Sequence, residues 1–130
     1  MSITTPAGFV AAGVAAGIKA SGDLDLALVA SADARPVPTA ATFTSNRAAA
    51  APVEVSRAHL AATGGRAAAV VVNSGNANAA TGDQGRSDAE RMCELTAQGL
   101  GVRPVEVLVC STGLIGIPLP MDRIGSGIPV

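Results

Sequence analysis

Aromatic residues are almost missing from this chain. Its 130 residues include Phe9 and Phe43 but neither Trp nor Tyr. Without aromatic rings there is no platform on which bases could stack, which argues against a single-stranded nucleic acid as partner. A dominant charge is missing too: nine basic residues stand against ten acidic ones, for a formal net charge of −1. That balance offers no basic stripe to neutralise phosphates and no like-charged block of the kind that keeps a tail disordered. Histidine occurs once, at His59, and cysteine twice, at Cys93 and Cys110. So few ligands give no metal cluster to propose. Two cysteines make no disulfide framework, and a pair of buried, reduced thiols is the expectation.

Long hydrophobic runs are also scarce. The apolar opening from Ala7 to Ile18 imitates a secretory signal, but no Lys or Arg precedes it, and its first cation, Lys19, follows it. No stretch reaches the roughly 20 uninterrupted apolar residues of a membrane span. The expectation is a soluble, cytoplasmic protein with neither nucleic acid nor membrane as partner.

What the chain does have is alanine and glycine. The composition is 48% hydrophobic, yet much of that total is alanine, which buries little area. At about 25 cal/mol per Å² such a core gives little free energy for its length. The length fits one domain, or part of a larger one, and the thin core predicts help from another chain or segment.

Phe9 to Lys19 carries Gly13 and Gly17 four residues apart, which predicts extended structure closely packed rather than a helix. Leu24–Ala30 and Thr39–Thr44 read as two strands joined by a loop holding Pro36 and Pro38. Ser56 reads as the N-cap of a short helix running through Leu60 to Gly64–Gly65. Ala67–Val72 is a continuous apolar run of buried-strand length. Gln84–Leu100 has Ala89, Met92, Cys93, Thr96 and Leu100 on one helical face and charged residues elsewhere, with Asp83 at its positive end and Gly101 at its close. Val105–Cys110 is a second buried strand, and Met121–Ile124 opens another helix. Strand, loop, helix and strand from Ala67 to Cys110 predict a β-α-β unit and hence an α/β fold with mixed sheets.

Two segments could carry chemistry. Asn73-Ser-Gly-Asn-Ala-Asn-Ala-Ala-Thr-Gly82 joins a strand to a helix N-terminus, where backbone N–H groups can meet an anion. It lacks the endings of the nucleotide-binding fingerprints, so a tight connection held by Asn side chains bonding nearby backbone carries more weight than a nucleotide-binding module. Cys110-Ser-Thr-Gly-Leu-Ile-Gly116 follows the second buried strand, where ligands gather in α/β sheets. Thr112 supplies a hydroxyl and Gly113 an unobstructed N–H. Such a pair can form an oxyanion hole for a tetrahedral acyl-transfer intermediate, provided a carbonyl can lodge beside it. Cys110 has no nearby base and reads as a core thiol rather than a nucleophile. His59 reads as a surface helix residue.

In order and spacing, Pro6-Ala-Gly-Phe9, Ala12-Gly-Val-Ala-Ala-Gly-Ile-Lys19, Thr42-Phe-Thr-Ser-Asn46, Ala51-Pro52, Asn73-Ser-Gly-Asn-Ala-Asn-Ala79, Cys110-Ser-Thr-Gly-Leu-Ile-Gly116 and Leu119-Pro-Met-Asp122 resemble the ornithine acetyltransferase (glutamate N-acetyltransferase) family of arginine biosynthesis. The resemblance covers essentially the whole chain and implies that residues 1–130 are the amino-terminal part of that family's alpha chain. It implies a precursor that cleaves itself before an internal threonine, whose hydroxyl then takes acetyl from N-acetylornithine and passes it to glutamate. Thr112 and Gly113 match the family's oxyanion-hole pair. The implied partners are the remainder of the alpha chain and a beta chain bearing the nucleophile, in a heterotetramer. No cofactor is implied, although acetyl-CoA serves some members as co-substrate. The lysine- and glycine-rich cleavage motif ending in Met-Ala-Thr is not in this sequence, and neither are the family's substrate-binding threonine and lysine. The resemblance therefore implies a piece that is inactive alone, with a non-catalytic truncated subunit as the alternative.

Overall fold

The computed structural model describes residues 2–128. A four-stranded sheet is built from β1 (Phe9–Val14), β2 (Leu26–Ser31), β5 (Ala69–Asn76) and β6 (Val107–Leu114), in the spatial order β1-β2-β5-β6. The first two junctions are antiparallel; β5 and β6 are parallel, with Ala69 beside Val107 and Asn73 beside Ser111. Between β5 and β6 runs α2 (Gly82–Leu100), the crossover that parallel neighbours require. The predicted β-α-β unit is therefore present, in an α/β fold with a mixed sheet.

Pattern explains most of these elements. The apolar face of α2 buries Ala89, Met92, Cys93 and Ala97 against Leu26, Val71, Val107 and Val109 of the sheet. Met92 is fully buried, which stabilises the fold by about 1.5–3 kcal/mol. On its outer face Arg86 pairs with Glu90 and Arg91 with Glu94. Gly101 closes the helix in the left-handed conformation, with its N–H donating to Ala97 O. The short α3 (Met121–Gly127) seats Ile124 in the same core.

Two expectations fail here. Thr39–Thr44 forms no strand; the nearby pairing is Val37–Pro38 (β3) with Arg66–Ala67 (β4), two residues a side. Beyond it, Thr39 donates its N–H to Gly65 O, and among the described residues no neighbouring strand holds the threonine-rich segment in a ladder. Nor does Ser56 cap a helix. The helix α1 is Ala51–Ala62, entered from Ala50 with a proline in its first turn, because Pro52 arrives with its φ already suited to that turn.

Ser56 instead lies buried within α1, and its hydroxyl works across the molecule. It donates to Val109 O at 2.7 Å and accepts the Val109 N–H at 2.9 Å. His59, one turn on, meets Val107 O through Nδ1 at 2.8 Å. It is therefore half-buried and engaged, not a free surface residue. Since β6 is an edge strand, α1 covers backbone groups that would otherwise invite another strand.

Candidate functional site

The parallel pair β5–β6 runs past the core, and its far end is where the two chemistry-bearing segments meet. Ser74 lies beside Thr112 and Gly75 beside Gly113, followed by an irregularity at Asn76. Thr112 and Gly113 thus belong to the ladder itself, not to a turn after a strand ending at Cys110. Gly113 has φ 134°, a region L side chains rarely enter. A Cβ there would lie 2.5 Å from Asn76 N and 2.6 Å from Gly75 O, both backbone atoms. Only glycine lets β6 approach the Gly75–Asn76 peptide so closely.

Gly75 is constrained from its other side. Its φ is 104°, and a Cβ would come within 3.2 Å of both Ile18 Cγ2 and Lys19 Cγ. Those residues belong to the connection between β1 and β2, which folds around Asp25. The buried Asp25 carboxylate accepts the N–H groups of Ala16 at 2.7 Å, Ile18 at 2.6 Å and Lys19 at 2.9 Å. Its main-chain carbonyl accepts the N–H of Ser74 at 2.8 Å. Burial pushes the carboxyl upward in pKa, but the N–H donors of Lys19, Ala16 and Ile18, together with the Lys19 charge, outweigh it and hold the group below its ordinary value.

The Asn-rich segment is a brace. Asn73 donates to Asn76 O at 2.9 Å, and Asn78 to Gly85 O at 2.8 Å. Asn76 donates to Ile117 O and Pro118 O, each at 2.8 Å, and accepts the Asn78 N–H. Gly116 donates its N–H to Ala79 O. These bonds tie the segment after β5 to the segment after β6 and commit the side-chain amides of Asn73, Asn76 and Asn78 within the chain. The bracing role expected for these side chains is what the geometry supplies.

Strand alternation places Val107, Val109 and Ser111 toward the helices and Leu108, Cys110 and Thr112 toward the opposite face. Thr112, Gly113 and Cys110 are exposed in this chain. A pocket around Thr112 and Gly113 would have to be completed from outside the described residues. Cys110 therefore departs from the buried thiol expected of it, because no helix covers its face; partial burial of the thiol still raises its pKa. Cys93 is the buried thiol, and burial, with Glu90 and Glu94 nearby, pushes it up to about 12. Sequence reasoning singled out Thr112 and Gly113 and passed over Asp25, which stands two residues after Asp23 at the head of an apolar strand. Among the described residues no His, Cys, Asp and Glu cluster could hold a metal, and no helix is long and apolar enough to cross a membrane.

Fold and site together define an α/β unit whose parallel strand pair ends in a backbone contact only glycine can make. The chain belongs to the ArgJ family, whose sequence model matches residues 10–130. It is 51% identical over 128 residues to the arginine biosynthesis bifunctional protein ArgJ of Symbiobacterium thermophilum, covering 97% of this chain and 31% of that protein. Among solved structures it resembles the argJ protein of Bacillus halodurans, with a TM-score of 0.92 and 39% identity over 99% of this chain and 65% of that one. It also resembles the ornithine acetyltransferase of Mycobacterium tuberculosis complexed with ornithine, with a TM-score of 0.90 and 50% identity over 98% of this chain and 67% of that one. The chain thus spans about three tenths of the length of the curated relatives it matches.

Proposed function

We propose that this chain supplies the oxyanion hole for acetyl transfer from N-acetylornithine to glutamate in arginine biosynthesis. The observation that carries the reading is that Thr112, exposed, adjoins Gly113, whose backbone lies against the Gly75–Asn76 peptide. Donors fixed before reaction need no reorganisation when negative charge develops on the carbonyl oxygen. Thr112 would donate through its hydroxyl and Gly113 through its N–H.

The nucleophile in this reading is a threonine outside this sequence, freed by autocatalytic cleavage, with its own α-amino group as base. The attacking oxygen bonds the acetyl carbon of N-acetylornithine, and the carbonyl oxygen takes up the charge between Thr112 and Gly113. Collapse expels ornithine as the amine, with a proton returned from the α-amino group. The glutamate amine then attacks the acyl ester, the bond to the threonine oxygen breaks, N-acetylglutamate leaves, and the proton lost by the amine restores the threonine hydroxyl. The partners are the rest of the alpha chain and the beta chain, in a cytoplasmic heterotetramer; acetyl-CoA is an alternative donor. Alone, the chain is inactive.

The test joins this chain to the segment that follows the matched region in its relatives and measures ornithine release. Thr112→Ala should lower kcat by about 10²–10³ with far less effect on KM. Unchanged turnover removes Thr112 from the mechanism.

A further inference from the structure

Asp25 lies outside every role assigned so far, yet it touches the candidate site from two directions. Its main-chain carbonyl holds the N–H of Ser74, which lies beside Thr112. Its carboxylate gathers three N–H groups of the β1–β2 connection. Ile18 and Lys19 of that connection lie on Gly75, and the far side of the Gly75–Asn76 peptide backs Gly113. The Lys19 ammonium is turned away from the ladder, donating to Leu24 O at 3.1 Å, so its stem and not its charge meets Gly75.

We propose that Asp25 is a positioning residue for the oxyanion pair: by clasping Ala16, Ile18 and Lys19 it seats Ile18 and Lys19 on Gly75, and the Gly75–Asn76 peptide in turn sets where Gly113 and Thr112 stand. The inference rests on the oxyanion reading of those two residues. A carboxylate suits the task because it presents two oxygens with several acceptor sites and no donor. Asn is nearly isosteric but would turn an NH2 toward N–H groups, which leaves donors facing donors. Displacement is expected to follow the path from Ile18 to Gly75 to Gly113, since these segments pack with no room for even a methyl group between them.

The experiment uses the joined protein described above, with Asp25→Asn, Thr112→Ala and the double variant. Asp25→Asn is expected to lower kcat by about tenfold or more while KM for N-acetylornithine stays within about twofold. Its effect is expected to shrink in the Thr112→Ala background, as for residues acting through one another. Losses that multiply, or an Asp25→Asn protein as active as the parent, overturn the proposal. Should Thr112→Ala itself leave turnover intact, the oxyanion reading falls, and amide exchange in the Asp25→Asn protein decides the positioning claim alone. Faster exchange reaching Gly113 supports it, and faster exchange confined to residues 16–19 refutes it. If Asp25→Asn does not fold, Ile18→Ala keeps the clasp and removes only the packing on Gly75. A loss in kcat without a matching rise in KM then supports the proposal, and unchanged kcat overturns it.

Discussion

Ser56 and Val109 exchange two hydrogen bonds across 53 positions of sequence, the hydroxyl donating to the Val109 carbonyl at 2.7 Å and accepting its N–H at 2.9 Å. A helix side chain thereby takes the place of a strand at the open edge of β6. Both backbone groups are buried with it. Ser56→Ala leaves a donor and an acceptor without partners, at a cost of about 1–3 kcal/mol. Denaturant titration should show a lower midpoint with an unchanged slope. A variant as stable as the parent would mean that α1 covers this edge by packing alone.

Thr112 and Gly113 are adjacent, but they should respond in opposite ways to alanine. Thr112 is exposed, so Thr112→Ala should stay within about 0.5 kcal/mol of the parent in stability. Gly113→Ala drives a methyl into the Gly75–Asn76 backbone at a φ of 134°, and should cost about 2 kcal/mol or more. Thermal melts of the two variants check the contrast. Equal melting temperatures would show that the β5–β6 approach is looser than described.

The two thiols should be told apart by reactivity. Cys93 is buried with its thiol pushed up to about 12, so it carries almost no thiolate at neutral pH. Cys110 is exposed, and only its raised pKa slows it. Alkylation of the native chain near pH 8 should label Cys110 alone, and denaturant should add Cys93. Equal labelling rates in the native chain would contradict the burial of Cys93.

Asp25 also makes a prediction about acid. Its folded carboxyl lies below the ordinary value of 3.8, so the unfolded chain binds more protons as pH falls. The stabilisation it brings is complete above that ordinary value and is lost as pH drops through the lower, folded value. Asp25→Asn should therefore be less stable than the parent at neutral pH, with the gap closing below about pH 4. Denaturation midpoints between pH 6 and pH 2 measure this. A gap independent of pH would mean that the charge on Asp25 contributes nothing.

What could be read from the sequence followed from local pattern. The apolar stripe of α2 and the continuous runs of β5 and β6 each repeat a signal over many residues, and so the β-α-β unit was legible, whereas Thr112 and Gly113, expected after a strand ending at Cys110, stand within β6. Ser56 was misread because a serine ahead of a short helical stretch looks like a cap, while its true partner is 53 residues away. Thr39–Thr44 has the residue types of a strand, but a strand exists only if a neighbour accepts it. Cys110 sits in a run that reads as buried on both faces, and only the placing of the helices leaves its side uncovered. Asp25 shows the same limit: its three donors come from a connection whose path depends on the finished sheet.

The parallel pairing of β5 with β6 has a consequence for how the molecule comes into being. Antiparallel β1 and β2 can zip from a nearby connection, whereas Ala69 and Val107 pair across the much longer connection that holds α2. Contacts so distant along the chain close slowly, because loop entropy is lost before the ladder forms. Gly75 and Gly113 pair across the same long connection. The contact best placed for chemistry thus belongs to the slower-closing half of the sheet, and two apolar strands left unpaired are open to misassociation.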